Sequence, residues 1–142
     1  MRYMLLIYGE EVQQEDAPAG EAAAGDPAGE APELSPPWLE YTNWLLREGI
    51  HTAGERLAGS SSATTVRARD GANMITDGPY AETKEVLGGY YIIECDDLDK
   101  ALEAAARCPA VAFGGSVEVR PIIGMPVPDA VPASVGATKA AG

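Results

Sequence analysis

Nine consecutive residues, Asp77-Gly-Pro-Tyr-Ala-Glu-Thr-Lys-Glu85, carry three carboxylates, an ammonium group and a phenol. Mixed charges beside an apolar cleft push carboxylate pKa values apart, and groups so separated can divide the work of acid and base. Glu55, after Ala53-Gly54, offers a second carboxylate if its strand neighbours this loop. His51 is the one histidine, a residue type that can serve as a general base. The catalytic candidates are therefore Asp77, Glu55 and His51, and the chemistry that suits them is proton transfer, as in an isomerisation or an elimination. Each has a plainer reading beside it. Asp-Gly-Pro also makes a simple turn, Glu55 lies next to Arg56, and a lone histidine between helix and strand is often structural.

Ligand candidates surround this set. Tyr8, Trp38, Tyr80 and Tyr90 could line a pocket for a flat organic molecule, although aromatic core packing explains them equally well. Arg67, with Arg69 and Arg120, alternates outward from strands and could orient an anion or simply keep the surface soluble. Glu82 and Lys84 lie within reach of the Asp77 loop. The sequence has no Gly-rich phosphate loop, metal-ligand cluster or Ser-His-Asp set, so neither cofactor nor metal is expected.

Charge narrows the partners. The 142 residues hold 10 Lys or Arg and 22 Asp or Glu, a formal −12. Residues 9–37 contribute eight of the acids and no base, leaving −4 for everything else. The acidity is thus local, and nucleic acid is not expected as a partner, because that role needs clustered Lys and Arg. Cys95 and Cys108 have neither metal nor redox spacing and read as free thiols. The apolar start MRYMLLIY is too short for a signal core or a membrane span, so the expected location is the cytoplasm, with no membrane partner.

The elements that must position these residues follow from periodicity. The spacing predicts a single domain over 1–124, interrupted by an acidic low-complexity loop at 9–35 and followed by a flexible tail at 125–142. The loop is Ala, Gly, Pro and Glu with little to bury. Arg2–Tyr8 and Gly89–Cys95 carry apolar or aromatic side chains on both faces, as central strands do. Ser35-Pro36 starts a helix that runs to Glu48, where Gly49 stops it. His51–Leu57 is a weak strand. Thr64–Arg69 and Asn73–Thr76 flank Asp70-Gly71, a hairpin signal. Asp96 or Asp97 caps a second helix, lined on one side by Leu98, Ala101, Leu102 and Ala105, ending before Pro109. Ser116–Ile122 is a last strand, at or next to the sheet edge.

This β-α-β-hairpin-β-α-β order predicts an α+β fold, a ferredoxin-like protomer with an antiparallel sheet and both helices on one face. The other face keeps its apolar side chains uncovered, so a homodimer through the sheet face is expected.

The run TDGPYAETKEVLGGYYIIECDDLDKALEAAARCP resembles the YCII-related domain family in its DGPF-motif branch, with Tyr80 in place of the usual Phe. MRYMLLIYG, Glu55-Arg56-Leu57, TTVRARDG and VEVRPI extend the likeness over nearly all the folded part. The resemblance implies a dimeric α/β barrel. Relatives in the wider superfamily include muconolactone isomerases, small monooxygenases and a dehydrochlorinase, and fold does not choose among them. In shorter YCII proteins a first-helix His and a loop Asp are proposed as a catalytic pair. The Asp is retained here as Asp77, the His position falls on Trp38, and His51 lies past the helix.

The resulting expectation is a small dimer that binds an unidentified small organic molecule in a cleft, with cofactor-independent acid-base chemistry of isomerase or lyase type. The alternative is a non-catalytic regulatory or interaction module. The resemblance supplies that second reading, since DGPF domains are also found joined to extracytoplasmic-function sigma factors, a link to transcription control without direct DNA contact.

Overall fold

Two neighbouring strands carry the weight of the structure. β1 (Arg2–Glu10) and β5 (Glu85–Glu94) pair antiparallel at the centre of a four-stranded sheet, with β2 (His51–Arg56) outside β5 and β6 (Ser116–Pro121) outside β1. The computed structural model describes residues 1–11 and 33–128. Most of the acidic loop, and the tail from residue 129, lie outside the described residues.

Alternation along the central strands decides what each face holds. Tyr3 and Leu5 oppose Ile93 and Tyr91 and are buried under the helices, joined by Val117 and Val119 of β6. Met4 and Leu6 oppose Ile92 and Tyr90 on the other side, partly exposed and outside the core cluster. Both middle strands are therefore apolar above and below, as the sequence predicts. Between Ile7 and Tyr8 the register slips, because Ile7 faces Gly89 while Tyr8 faces Leu87, leaving Gly88 as the extra residue of a bulge. β2 comes close to Gly89: a Cβ there would stand 2.8 Å from the Glu55 carbonyl oxygen.

The helices cover one face. α1 (Pro36–Arg47) buries Tyr41 and Leu45. It closes with Gly49 at φ 71°, the Ile50 amide donating to Leu45 O (3.2 Å) and the Gly49 amide to Leu46 O (3.0 Å), which satisfies two carbonyls the helix end would leave bare. At the start, Ser35 occupies the cap through its carbonyl, which receives the Leu39 amide at 3.0 Å. The expected hydroxyl cap is absent. α2 (Leu98–Arg107) is capped by Asp97, whose carboxylate accepts from the Lys100 amide at 2.9 Å.

α2 departs from its expected face. Ala101, Ala104 and Ala105 are buried, while Leu98 and Leu102 stay about half exposed. The reason is Tyr41, whose ring sits edge-on to Tyr91 at 5.5 Å and whose hydroxyl donates to Ala104 O at 2.6 Å. A ring that close leaves room only for methyl groups on α2. A short α3 (Pro109–Ala112) follows, with Pro109 and Ala110 buried.

β3 (Thr64–Arg69) and β4 (Ala72–Asp77) form a separate two-stranded sheet, inserted between β2 and β5. The described residues are mixed α+β, with antiparallel sheets and three α-helices, and form no closed barrel.

Candidate functional site

Asp70-Gly71 turns the hairpin with both residues at positive φ (51° and 80°), the mirror-image turn whose twist matches that of the strands. A two-residue loop fixes the register: Arg69 faces Ala72, Arg67 faces Met74 and Thr65 faces Thr76 on one face. Ala68 with Asn73, Val66 with Ile75 and Thr64 with Asp77 share the other.

The chain after Asp77 folds back over the first of these faces. Gly78, at φ 100°, donates its amide to Ala63 O at 2.7 Å. The Thr65 hydroxyl donates to Gly78 O at 2.8 Å, and Arg67 Nη2 donates to Tyr80 O. A hollow of about 260 Å³ lies between the bend and the hairpin, walled by Thr65, Arg67, Arg69, Met74, Thr76 and Tyr80. The Tyr80 side chain stands largely free over it, 76% exposed. Guanidinium groups, hydroxyls and an aromatic face in one small concavity can hold a small molecule by both charge and stacking.

The sequence-derived candidates divide into three places. Arg67 and Tyr80 meet at the hollow. Asp77 is on the opposite face of the same hairpin, exposed beside Thr64, with no hydrogen-bonding or ionic partner among the described residues. Glu82 is exposed beyond the bend, and Lys84 pairs with Glu10 at 3.1 Å. Glu55 faces Tyr90 on the uncovered side of the large sheet, where Tyr8 also lies, opposite Leu87 and Ser116. His51 faces Ile93 on the helix side, its ring edge-on to Tyr91 at 6.0 Å, because the register of β2 shifts between His51 and Ala53. Trp38 is on α1, edge-on to Tyr41 at 6.5 Å and packed on the core. The three proton-transfer candidates thus occupy three separate surfaces.

Thr65, Met74 and Thr76 escaped the sequence reading. A signal for them existed, since a two-residue Asp-Gly turn sets which residues of the two strands share a face. Trp44, on α1, carries the Lys100 ammonium at 5.3 Å and the Arg107 guanidinium at 4.5 Å from its ring centroid.

A wider depression of about 720 Å³ lies where the end of α1 meets the start of α2, rimmed by Glu48, Glu94, Asp96, Asp99 and Glu103 around Lys100. Lys100 bonds Glu103 at 2.8 Å and Glu48 at 2.5 Å, and these contacts hold its ammonium above the usual lysine range and the Glu103 carboxyl below the usual one. Among the described residues no group of three or more His, Cys, Asp or Glu is arranged to hold a metal ion. No described helix is long and apolar enough to cross a membrane.

Known sequences give this architecture a relative. Over 68 residues, 47% of this chain and 55% of the other, it is 46% identical to an uncharacterised protein of Rhizobium meliloti (strain 1021). The chain thus spans about half the length of that curated relative. A family model described as the YCII-related domain matches residues 1–126, a span that takes in both central strands, all three helices, the hairpin and the bend above it. On that match the chain belongs to the YCII-related domain family.

Proposed function

We propose that this protein is a cytoplasmic homodimer that binds a small organic molecule in the hollow between the β3–β4 hairpin and the Gly78–Tyr80 bend. The observation that carries this reading is the pinned bend: two side-chain hydrogen bonds, from Thr65 and Arg67, fold residues 78–80 over one hairpin face and create a concavity with Tyr80 exposed above it. A loop that served only as a turn would need neither the concavity nor the presented ring.

The strand order β2-β5-β1-β6, with the helices on one face, supports a ferredoxin-like protomer. Met4, Leu6, Tyr90 and Ile92 on its open face support closure by a second copy into a dimeric α/β barrel. Acid-base chemistry of isomerase or lyase type would fall to Asp77, Glu55 and His51. Their placement on three surfaces of one chain favours binding without catalysis as the primary role, in line with a regulatory module.

The test is a fragment screen on the full chain, read by amide shifts or by density at the hairpin, using neutral and charged single-ring compounds. Ligands that perturb Thr65–Thr76 and Tyr80, and lose that effect in Tyr80→Ala, support the site. A screen in which no compound moves these residues rules it out.

A further inference from the structure

The hairpin hollow inverts the charge of the molecule that carries it. The chain has a formal charge of −12, yet the residues around this hollow include two arginines and no carboxylate. Period-two alternation puts Arg67 and Arg69 on the same face of β3. Arg67 is occupied, because it holds the bend through Tyr80 O. Arg69 has no hydrogen-bonding or ionic partner among the described residues, so its planar fork of donors is open to a ligand. The apolar part of the lining is Met74, on the same hairpin face and 40% exposed, and Tyr80 of the bend, 76% exposed.

We infer that the hollow takes a small aromatic carboxylate, its acid group held by Arg69 and its ring lying against Met74 and Tyr80. This rests on the binding reading above and narrows it to one ligand class. Three observations favour that class. A volume of about 260 Å³ falls just below the range of roughly 300–1,000 Å³ typical of drug-sized ligands, which suits one ring with one substituent. A single open guanidinium matches the two oxygens of a carboxylate, whereas a phosphate dianion would call on the second arginine, already bonded to Tyr80 O. An exposed phenol ring beside a thioether offers a flat, polarizable surface to a second ring.

The experiment uses the full chain, isotope-labelled, in a phosphate-free chloride buffer, titrated separately with benzoate, benzamide and benzylammonium. Benzoate is expected to shift the amides of Thr65–Thr76 and Tyr80 saturably, and benzylammonium to leave them in place. Benzamide is expected to bind roughly tenfold more weakly than benzoate, the size of one lost charge-assisted pair. Arg69→Gln, at an exposed site that no fold contact depends on, should lower benzoate affinity by a similar factor and leave benzamide affinity unchanged. Equal binding of benzoate and benzamide, or an unaltered benzoate affinity in Arg69→Gln, overturns the carboxylate class while the hollow stands as a neutral site. If none of the three compounds moves the hairpin amides, the hollow itself falls and the ligand class with it.

Discussion

The Tyr41 hydroxyl donates to the Ala104 carbonyl across 63 positions of sequence, at 2.6 Å and out of contact with water. It ties α1 to α2 at the point where both lie on the sheet. Tyr41→Phe leaves the packing intact and the carbonyl without its partner, so it should destabilise the fold by about 1–2 kcal/mol. Urea denaturation reads this directly, and an unchanged midpoint would show the bond to contribute nothing.

The same neighbourhood sets the alkaline limit of stability. Burial pushes the Cys108 thiol up from 9.0 to about 11, and burial, with Cys108 and Tyr91 nearby, lifts the Tyr41 phenol well above its ordinary 10.0. Both groups stay neutral in the folded chain at pH values where the unfolded chain has already ionised them. Their stabilisation is therefore complete below the ordinary values and is lost as pH rises through them toward the folded ones. Urea midpoints should hold level near neutrality and decline from about pH 9. Cys108→Ala should flatten the first part of that decline, and an identical slope in the variant would remove the thiol from the account.

Gly89 permits the close approach of β2 to β5. With a Cβ only 2.8 Å from Glu55 O, Gly89→Ala must displace a strand backbone and should cost about 1–3 kcal/mol. Gly9, where an added Cβ meets nothing within 4 Å, is the control, with an expected change within about 0.5 kcal/mol. Thermal melts of the two variants should differ clearly; coincident melts would contradict the contact.

Leu6 lies on the uncovered face between Tyr90 and Glu118. If a second copy closes that face, light scattering at micromolar concentration gives twice the chain mass, and Leu6→Lys gives the chain mass alone. A monomeric parent protein would refute the dimer.

Asp77 and the hollow are on opposite faces of one hairpin. Asp77→Asn should therefore leave ligand affinity at the hollow within about twofold, well under the tenfold that 1.4 kcal/mol represents. A larger loss, in a variant with an unaltered melt, would bring Asp77 into the binding site.

Fold was more legible in the sequence than site, for a physical reason. Strand alternation, the Asp70-Gly71 turn, the Asp97 cap and the Gly49 stop are local signals, and each matches the element found there. What went astray depended on distant neighbours. Leu98 and Leu102 lost the buried face of α2 because Tyr41, far away in sequence, fills the space. His51 and Glu55 were separated by a register shift that no composition reveals. Ser35 marks the helix start, yet its hydroxyl does not cap it; Pro37, at the second helical position, removes one of the two amides from which such a cap accepts. Arg67 and Tyr80 were found because chemistry singles them out, whereas Met74 and Thr76 enter only once the hairpin register is drawn.

The hairpin's pairing is complete within itself, apart from the sheet that α1 and α2 cover. Inheritance can therefore rewrite its outward-pointing residues without disturbing the inner scaffold, so the descendants of this chain are free to change that surface while keeping the same frame.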